Sequence, residues 1–159
     1  MSRRSVRGLA VSAAFVSSAV AFLWARAAAQ DSARRAVVGV IEQMFAALAR
    51  GDTAAMRATF HPAARIVQTG SRDGAPFNRV NALDDFLRSI GGAAPRKLEE
   101  KIFDPAVEIS DNLAAAWSRY EFYVDGTMSH CGVDSYQVVN TTDGWKILHI
   151  VDTQRRPCK

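Results

Sequence analysis

Apolar side chains recur every three or four residues from Ser32 onward, at Val37, Val38, Ile41, Met44, Phe45 and Leu48. That spacing predicts one face of an amphipathic helix. Gly51 stops it, and Asp52 can cap the next helix. "TAAMRATF" predicts a short second helix, ended at His61–Pro62 because a residue before proline avoids the helical region. "ARIVQT" predicts a short strand and "GSRDGAP" a loop. "NALDDFLRSI" predicts a third helix, with Asn81 as N-cap and Gly91–Gly92 as its stop. The period then changes from helical to alternating. "KLEEKIF" and, after Pro105, "AVEIS" predict strands; Asp111–Asn112 makes a turn. "AAAWSRYEFYV" follows, then the hairpin signal Asp125–Gly126. "SHCGVDSYQVVN" and "DGWKILHIVDT" complete an antiparallel meander. Helices first and strands afterwards predict an α+β domain with helices on one face of a sheet.

The 159 residues suffice for one domain with a real core. The net charge of +4 invites a nucleic-acid reading, but its distribution removes that. Arg3, Arg4, Arg7 and Arg26 are the only charges in the first 29 positions, and beyond them 16 basic residues face 16 acidic ones. The body is neutral by count and carries no basic stripe, so no nucleic-acid partner is expected. The start of the chain instead has the parts of a signal peptide over residues 1–29. "MSRRSVRG" is a positive n-region, "LAVSAAFVSSAVAFLW" an apolar stretch, and "ARAAAQ" offers small residues at Ala27 and Ala29. "SRRSVR" also resembles a twin-arginine signal. The expectation is export to the periplasm or beyond, a mature domain over 30–159, and no membrane attachment after cleavage. The alternative is an uncleaved membrane anchor, for which the apolar run is somewhat short. Export permits disulfides, and the two cysteines, Cys131 and Cys158, look like one staple rather than unrelated thiols.

Several of these segments together resemble the nuclear transport factor 2-like superfamily, which includes SnoaL-like polyketide cyclases and ketosteroid isomerases. They are the first helix ending in "GD", then "FHPAARI", the short third helix, and the closing "DGWKILHI". The likeness covers about Ala33 to Thr153. It implies a cone: a strongly curved antiparallel sheet wrapped around three N-terminal helices, with a pocket at the open end. It implies little about activity, because this fold hosts enzymes, binding domains and oligomerisation modules.

Hairpin arithmetic sorts the sheet residues into two faces. If the last turn centres on Thr142–Asp143, Ser135 lies opposite Ile150, Gln137 opposite Leu148, Val133 opposite Asp152 and Cys131 opposite Gln154. The Asp125–Gly126 turn sets Tyr120 opposite Cys131. A one-residue slip in either hairpin would exchange part of each set. Both faces are half apolar, so the pattern alone does not choose the concave one. The resemblance does: residues one, three and five after the Ile of "WKI" point inward in similar proteins, here Leu148, Ile150 and Asp152. The expected ligand-binding wall is then Gln68, Tyr120, Phe122, Ser135, Gln137 and Ile150, joined by Ile66, Val133 and Leu148. Asp152 at the mouth is the first candidate for proton transfer, and otherwise an edge carboxylate paired with Arg65 or Arg155. His61, at the end of the second helix, is the other candidate, or else it serves local backbone groups. Asp134, Tyr136 and His149 fall on the opposite face, as polar surface or dimer contact. Where the isomerases need a carboxylate base, this chain has Gln68, which speaks against their chemistry. His61, His130 and His149 share no metal-ligand spacing, so no metal and no cofactor are expected.

Three functions follow. The first is an exported SnoaL-like protein binding a small, partly apolar molecule inside the cone. The second is a cofactor-free cyclase, isomerase or dehydratase using Asp152 or His61, with Tyr120 and Gln137 as hydrogen-bond partners. The third is an oligomerisation module for an envelope partner. A buried acid with a raised pKa would favour the enzyme. The aromatic and apolar residues Trp117, Tyr123, Tyr136, Trp145 and Val151, assigned to the outer face, predict a homodimer through it.

Overall fold

The computed structural model describes residues 10–158, with side chains described for 24–71 and 73–158. The leader's positive n-region falls outside them. The chain divides into two units, Met1–Ala33 and Arg34–Lys159. The first is helical from Ala10 on. Among the described residues no helix is long and apolar enough to cross a membrane.

The elements run α1 (Ala10–Ala49), α2 (Thr53–Ala58), β1 (Phe60–Arg72), β2 (Ala75–Ala82), α3 (Leu83–Gly91), β3 (Leu98–Ser110), β4 (Leu113–Val124), β5 (Thr127–Thr141) and β6 (Gly144–Gln154). The α+β class holds. Gly51 ends α1 in the left-handed region, at φ 64°, where a glycine carries no Cβ penalty. The Asp52 carboxylate caps α2 by accepting from the Ala55 amide at 2.9 Å. Asn81 is not the cap of α3; Ala82 stands there without a side-chain bond.

The sheet is curved and unclosed, in the order β2-β1-β6-β5-β4-β3. It is mixed rather than antiparallel, because β1 and β6 run parallel. "GSRDGAP" is not a loop but the middle of the β1–β2 hairpin, turning at Asp73–Gly74. Consequently two strands rather than one precede α3, which stands between β2 and β3. "KLEEKIF" and "AVEIS" form one strand, with a register shift at Asp104–Pro105 that accommodates a proline lacking a ladder donor.

The core lies between α1 and the concave face. Val37, Ile41, Met44 and Leu48 pack with Ile66, Val107, Ala114, Ala116, Val138 and Ile147. Leu83 and Leu87 of α3 and Met56 of α2 join them. The concave face is therefore sealed with hydrocarbon toward one end. Toward the other its buried residues turn polar: Ser118, Asp134 and Asp152.

Both hairpins start in the expected register and then slip by one residue. Along β4–β5, Tyr123 pairs with Met128 but Phe122 pairs with His130, leaving Ser129 as the extra residue. Along β5–β6, Val138 pairs with Ile147 but Gln137 pairs with His149, leaving Leu148 extra. Each bulge transfers every later residue to the other face.

Cys131 and Cys158 form the expected disulfide, with Cα atoms 5.8 Å apart. The partner of Cys131 in the ladder is Arg155 rather than Gln154, through the same slip.

Candidate functional site

Between the helices and the polar end of the sheet lies a cavity of about 180 Å³. Met44, Phe45 and Leu48 of α1 and Phe86 and Ile90 of α3 supply its apolar roof. The sheet supplies a floor organised in rows. One row crosses five strands in register: Ser118, Asp134, Asp152, Gln68 and Arg79. Two rows along, past Ile102, Tyr120 and Gly132, come Glu100, Phe122 and His130. Three carboxyl groups from three strands thus line one small cavity: Glu100, Asp134 and Asp152.

Their environments explain their chemistry. Asp134 is 3% exposed and accepts a 2.6 Å hydrogen bond from the Tyr136 hydroxyl. Burial raises its pKa, while the bonds from Tyr136 and Glu100 work against that rise. Glu100 is held well above the usual carboxylate range, first by burial, then by the Asp134 charge and hydrogen bond, then by Asp152. The raised pKa favours its protonated form, which can donate to Asp134. Asp152 is 8% exposed, and its Oδ1 has no hydrogen-bond partner. Burial and the Asp134 charge push its pKa up to about 7, against a hydrogen bond from Gln154 and the more distant Arg79. Desolvation raises all three, and like charge adds to it on Glu100 and Asp152.

Aromatic groups frame the acids. The His130 ring lies 4.9 Å from that of Phe122 and 5.7 Å from that of Tyr120. Burial, helped by Arg156, lowers its pKa and keeps it neutral. The Tyr120 hydroxyl donates to the Thr153 carbonyl at 3.0 Å. Gly132 makes that approach possible, since a Cβ there would lie 1.7 Å from the same carbonyl oxygen.

The structure places Asp152, Gln68, Tyr120, Phe122 and Ile150 on the cavity wall. Ser135 and Gln137 are on the outer face, Gln137 bonded to His149. Val133, paired with the outward Arg119, is there too. The bulge at Ser129 turns these β5 residues out and His130, Asp134 and Tyr136 in. Leu148, the extra residue of β6, is not part of the wall. Asp152 pairs with neither Arg65 nor Arg155; Arg65 donates to the Ala63 and Ala64 carbonyls. His61 also lies off the wall, with its Nδ1 accepting from the Ala63 amide at 3.1 Å. Glu100 was not foreseen; its place in the alternation of "KLEEKIF" was the available signal. Gln68 accepts from Arg79 Nε at 2.9 Å. The missing isomerase-type base thus has a carboxylate neighbour one strand away, at Asp152.

The SnoaL-like domain family matches residues 37–152. A nuclear transport factor 2-like superfamily protein from Salmonella enterica superposes with a TM-score of 0.64 at 15% identity, covering 82% of this chain and 94% of that one. A Mycobacterium tuberculosis protein of unknown function gives 0.66 at 10% identity, covering 82% and 76%. A candidate dehydratase of the same family from Streptomyces avermitilis gives 0.60 at 16% identity, covering 79% and 98%. At these identities the likeness is one of fold. No curated protein matches the chain in sequence.

Proposed function

The chain belongs to the SnoaL-like domain family, and from that premise we propose that it carries out cofactor-free acid–base chemistry on a small, partly apolar molecule inside the cone. Asp152 is the proton carrier. The observation that carries this reading is the buried Asp152 carboxyl with its unpartnered Oδ1, beside two further acids on an apolar-walled cavity. A carboxyl that titrates near neutrality can both give and take a proton at working pH. Asp134 and Glu100, the second able to donate to the first, can stabilise either state of Asp152, and Tyr136 holds Asp134 in place. An apolar cavity without convergent polar groups would have favoured plain ligand binding instead. The candidate dehydratase among the structural neighbours is compatible with this class of chemistry.

The test is proton exchange. A small-molecule extract of the host envelope is incubated with the protein in heavy water and read by mass spectrometry. A compound that gains deuterium with the native protein and not with Asp152→Asn supports the reading. Identical labelling with both would make the cone a binding site only.

The proposal includes export and self-association. The disulfide suits an oxidising compartment, in keeping with a cleaved leader over residues 1–29. For association, the outer face carries its own row in register: Trp117, Ser135, Val151, Val67 and Val80. Trp117 is 56% exposed, Val151 40% and Val80 63%. A second copy of the chain would cover them. Tyr136 and Trp145 take no part, because Tyr136 is buried in the core and Trp145 packs against it.

A further inference from the structure

We propose that the cavity selects an organic cation: a protonated amine on a single ring or a comparably short apolar body. This rests on the cone cavity being the functional site, and it names the class of molecule that enters.

Size sets the first limit. A cavity of about 180 Å³ is close to the ~150 Å³ apolar cavity that takes benzene, so it admits one ring and a short substituent. Charge sets the second. Glu100 enters from β3, Asp134 from β5 and Asp152 from β6. From β4 comes Tyr120, and from β5 Tyr136 and His130. The helices contribute only Met44, Phe45, Leu48, Met56, Phe86, Ser89 and Ile90. No permanently cationic side chain is among the lining residues. Arg79, on β2, is off the wall and donates to Gln68. Arg155 is also off the wall, and bears on the Tyr120 hydroxyl. The one basic group in the wall, His130, is kept neutral by burial and by Arg156.

No cation of the wall touches the three acids, Arg79 bearing on Asp152 only from beyond it, and one of them, 8% exposed, offers an oxygen with no donor. An ammonium group supplies both the donor and the charge. Phe45, Phe86 and Phe122 line the same cavity, and aromatic rings attract a desolvated cation. A metal ion fits less well: among the described residues no three His, Cys, Asp or Glu side chains are arranged to hold one. A cation entering beside carboxyls that hold protons displaces a proton, so affinity rises with pH through the range where Asp152 titrates.

Benzylamine and its uncharged analogue benzyl alcohol separate charge from shape. Isothermal titration calorimetry on the folded, disulfide-bonded protein at about pH 7.5 should give benzylamine at least a tenfold tighter dissociation constant. The preference should shrink toward about pH 5, and the heat should depend on the buffer's protonation enthalpy, reporting proton release. Asp152→Asn should remove most of the preference. Should that variant fail to fold, the buffer dependence in the native protein decides. Equal affinities, a preference for the alcohol, or no benzylamine binding would overturn the proposal. The two readings fail separately. Deuterium exchange persisting without amine preference leaves the acid–base reading standing; amine preference without exchange makes the cone a cation-binding site.

Discussion

Asp134 and Asp152 stand directly opposite each other across the β5–β6 ladder, on the concave face. Two like charges at adjacent positions are unfavourable in a sheet exposed to water, and more so in one sealed by α1 and α3. The protein meets this conflict by keeping protons there. Several expected outcomes follow from that choice and from the geometry around it.

Stability should fall as pH rises. The Asp152 carboxyl has its folded pKa raised to about 7, so between its unfolded and folded values the folded chain holds a proton that the unfolded chain releases. That stabilisation is complete below about pH 4 and is lost as pH passes through about 7, at up to ~1.4 kcal/mol per pH unit. Glu100 and Asp134, also raised, add to the same slope. Exposed Asp125, lowered by the Lys97 amide and Arg96, acts oppositely at lower pH, and His130, lowered by burial and Arg156, opposes the slope below about pH 6.5 without outweighing three raised carboxyls. Thermal midpoints measured between about pH 5 and pH 8 should decline, and Asp152→Asn should flatten the decline and raise the midpoint at the alkaline end. A midpoint that climbs over this interval would contradict the arrangement.

Gly132→Ala should be severely destabilising. The added Cβ would meet the Thr153 carbonyl oxygen at 1.7 Å and the Tyr120 ring at 2.9 Å. The oxygen belongs to backbone and cannot swing aside, so a loss of about 3 kcal/mol or more is expected. Urea denaturation measures it, and a cost below about 1 kcal/mol would mean that β5 and β6 separate easily there.

Reduction should loosen the molecule without unfolding its core. The bond between Cys131 and Cys158 spans 27 residues, for which chain entropy gives about 3–4 kcal/mol. Cys131→Ser with Cys158→Ser should lower unfolding free energy by that order. Titration finding two reactive thiols in unreduced native protein would show that the bond does not form.

Sedimentation should detect a dimer at micromolar concentration, and Trp117→Lys should shift it to monomer. Trp117 is 56% exposed on the outer face, so the substitution leaves the fold intact and changes only what that face can cover. A native monomer at this concentration would refute self-association.

N-terminal sequencing of protein recovered from the envelope should begin at Gln30. An intact Met1 in membrane-bound material would identify an anchor instead.

Much of the architecture was legible because it depends on periodicity. The spacing of Val37, Ile41, Met44 and Leu48 put α1 on the core, and Asp125–Gly126 fixed a hairpin. The Asp52 cap was readable from residue type alone. The face assignment was not, because it depends on counting. Ser129 and Leu148 each insert a single residue, and neither carries a glycine or proline to announce it. Ile150, Asp152, Tyr120 and Phe122 came out on the right wall, while Ser135 and Gln137 exchanged places with Asp134 and Tyr136. Hence the sequence suggested one acid in the cone where three converge. β2 escaped notice because "APFNRVNA" is mostly solvated, with no alternating apolar pattern to mark it.

The strand order has a consequence for how the protein is made. β6 is the last strand in chain order, yet it lies between β1 and β5 in the middle of the sheet. Until Gly144–Gln154 has left the ribosome, β2–β1 and β5–β4–β3 are separate ribbons with no shared edge. The two ribbons can each pair on their own, but the whole sheet cannot assemble before β6 has been made. A shortened product lacking β6 would lose the join between the two ribbons and not merely an edge, and would expose both inner faces at once.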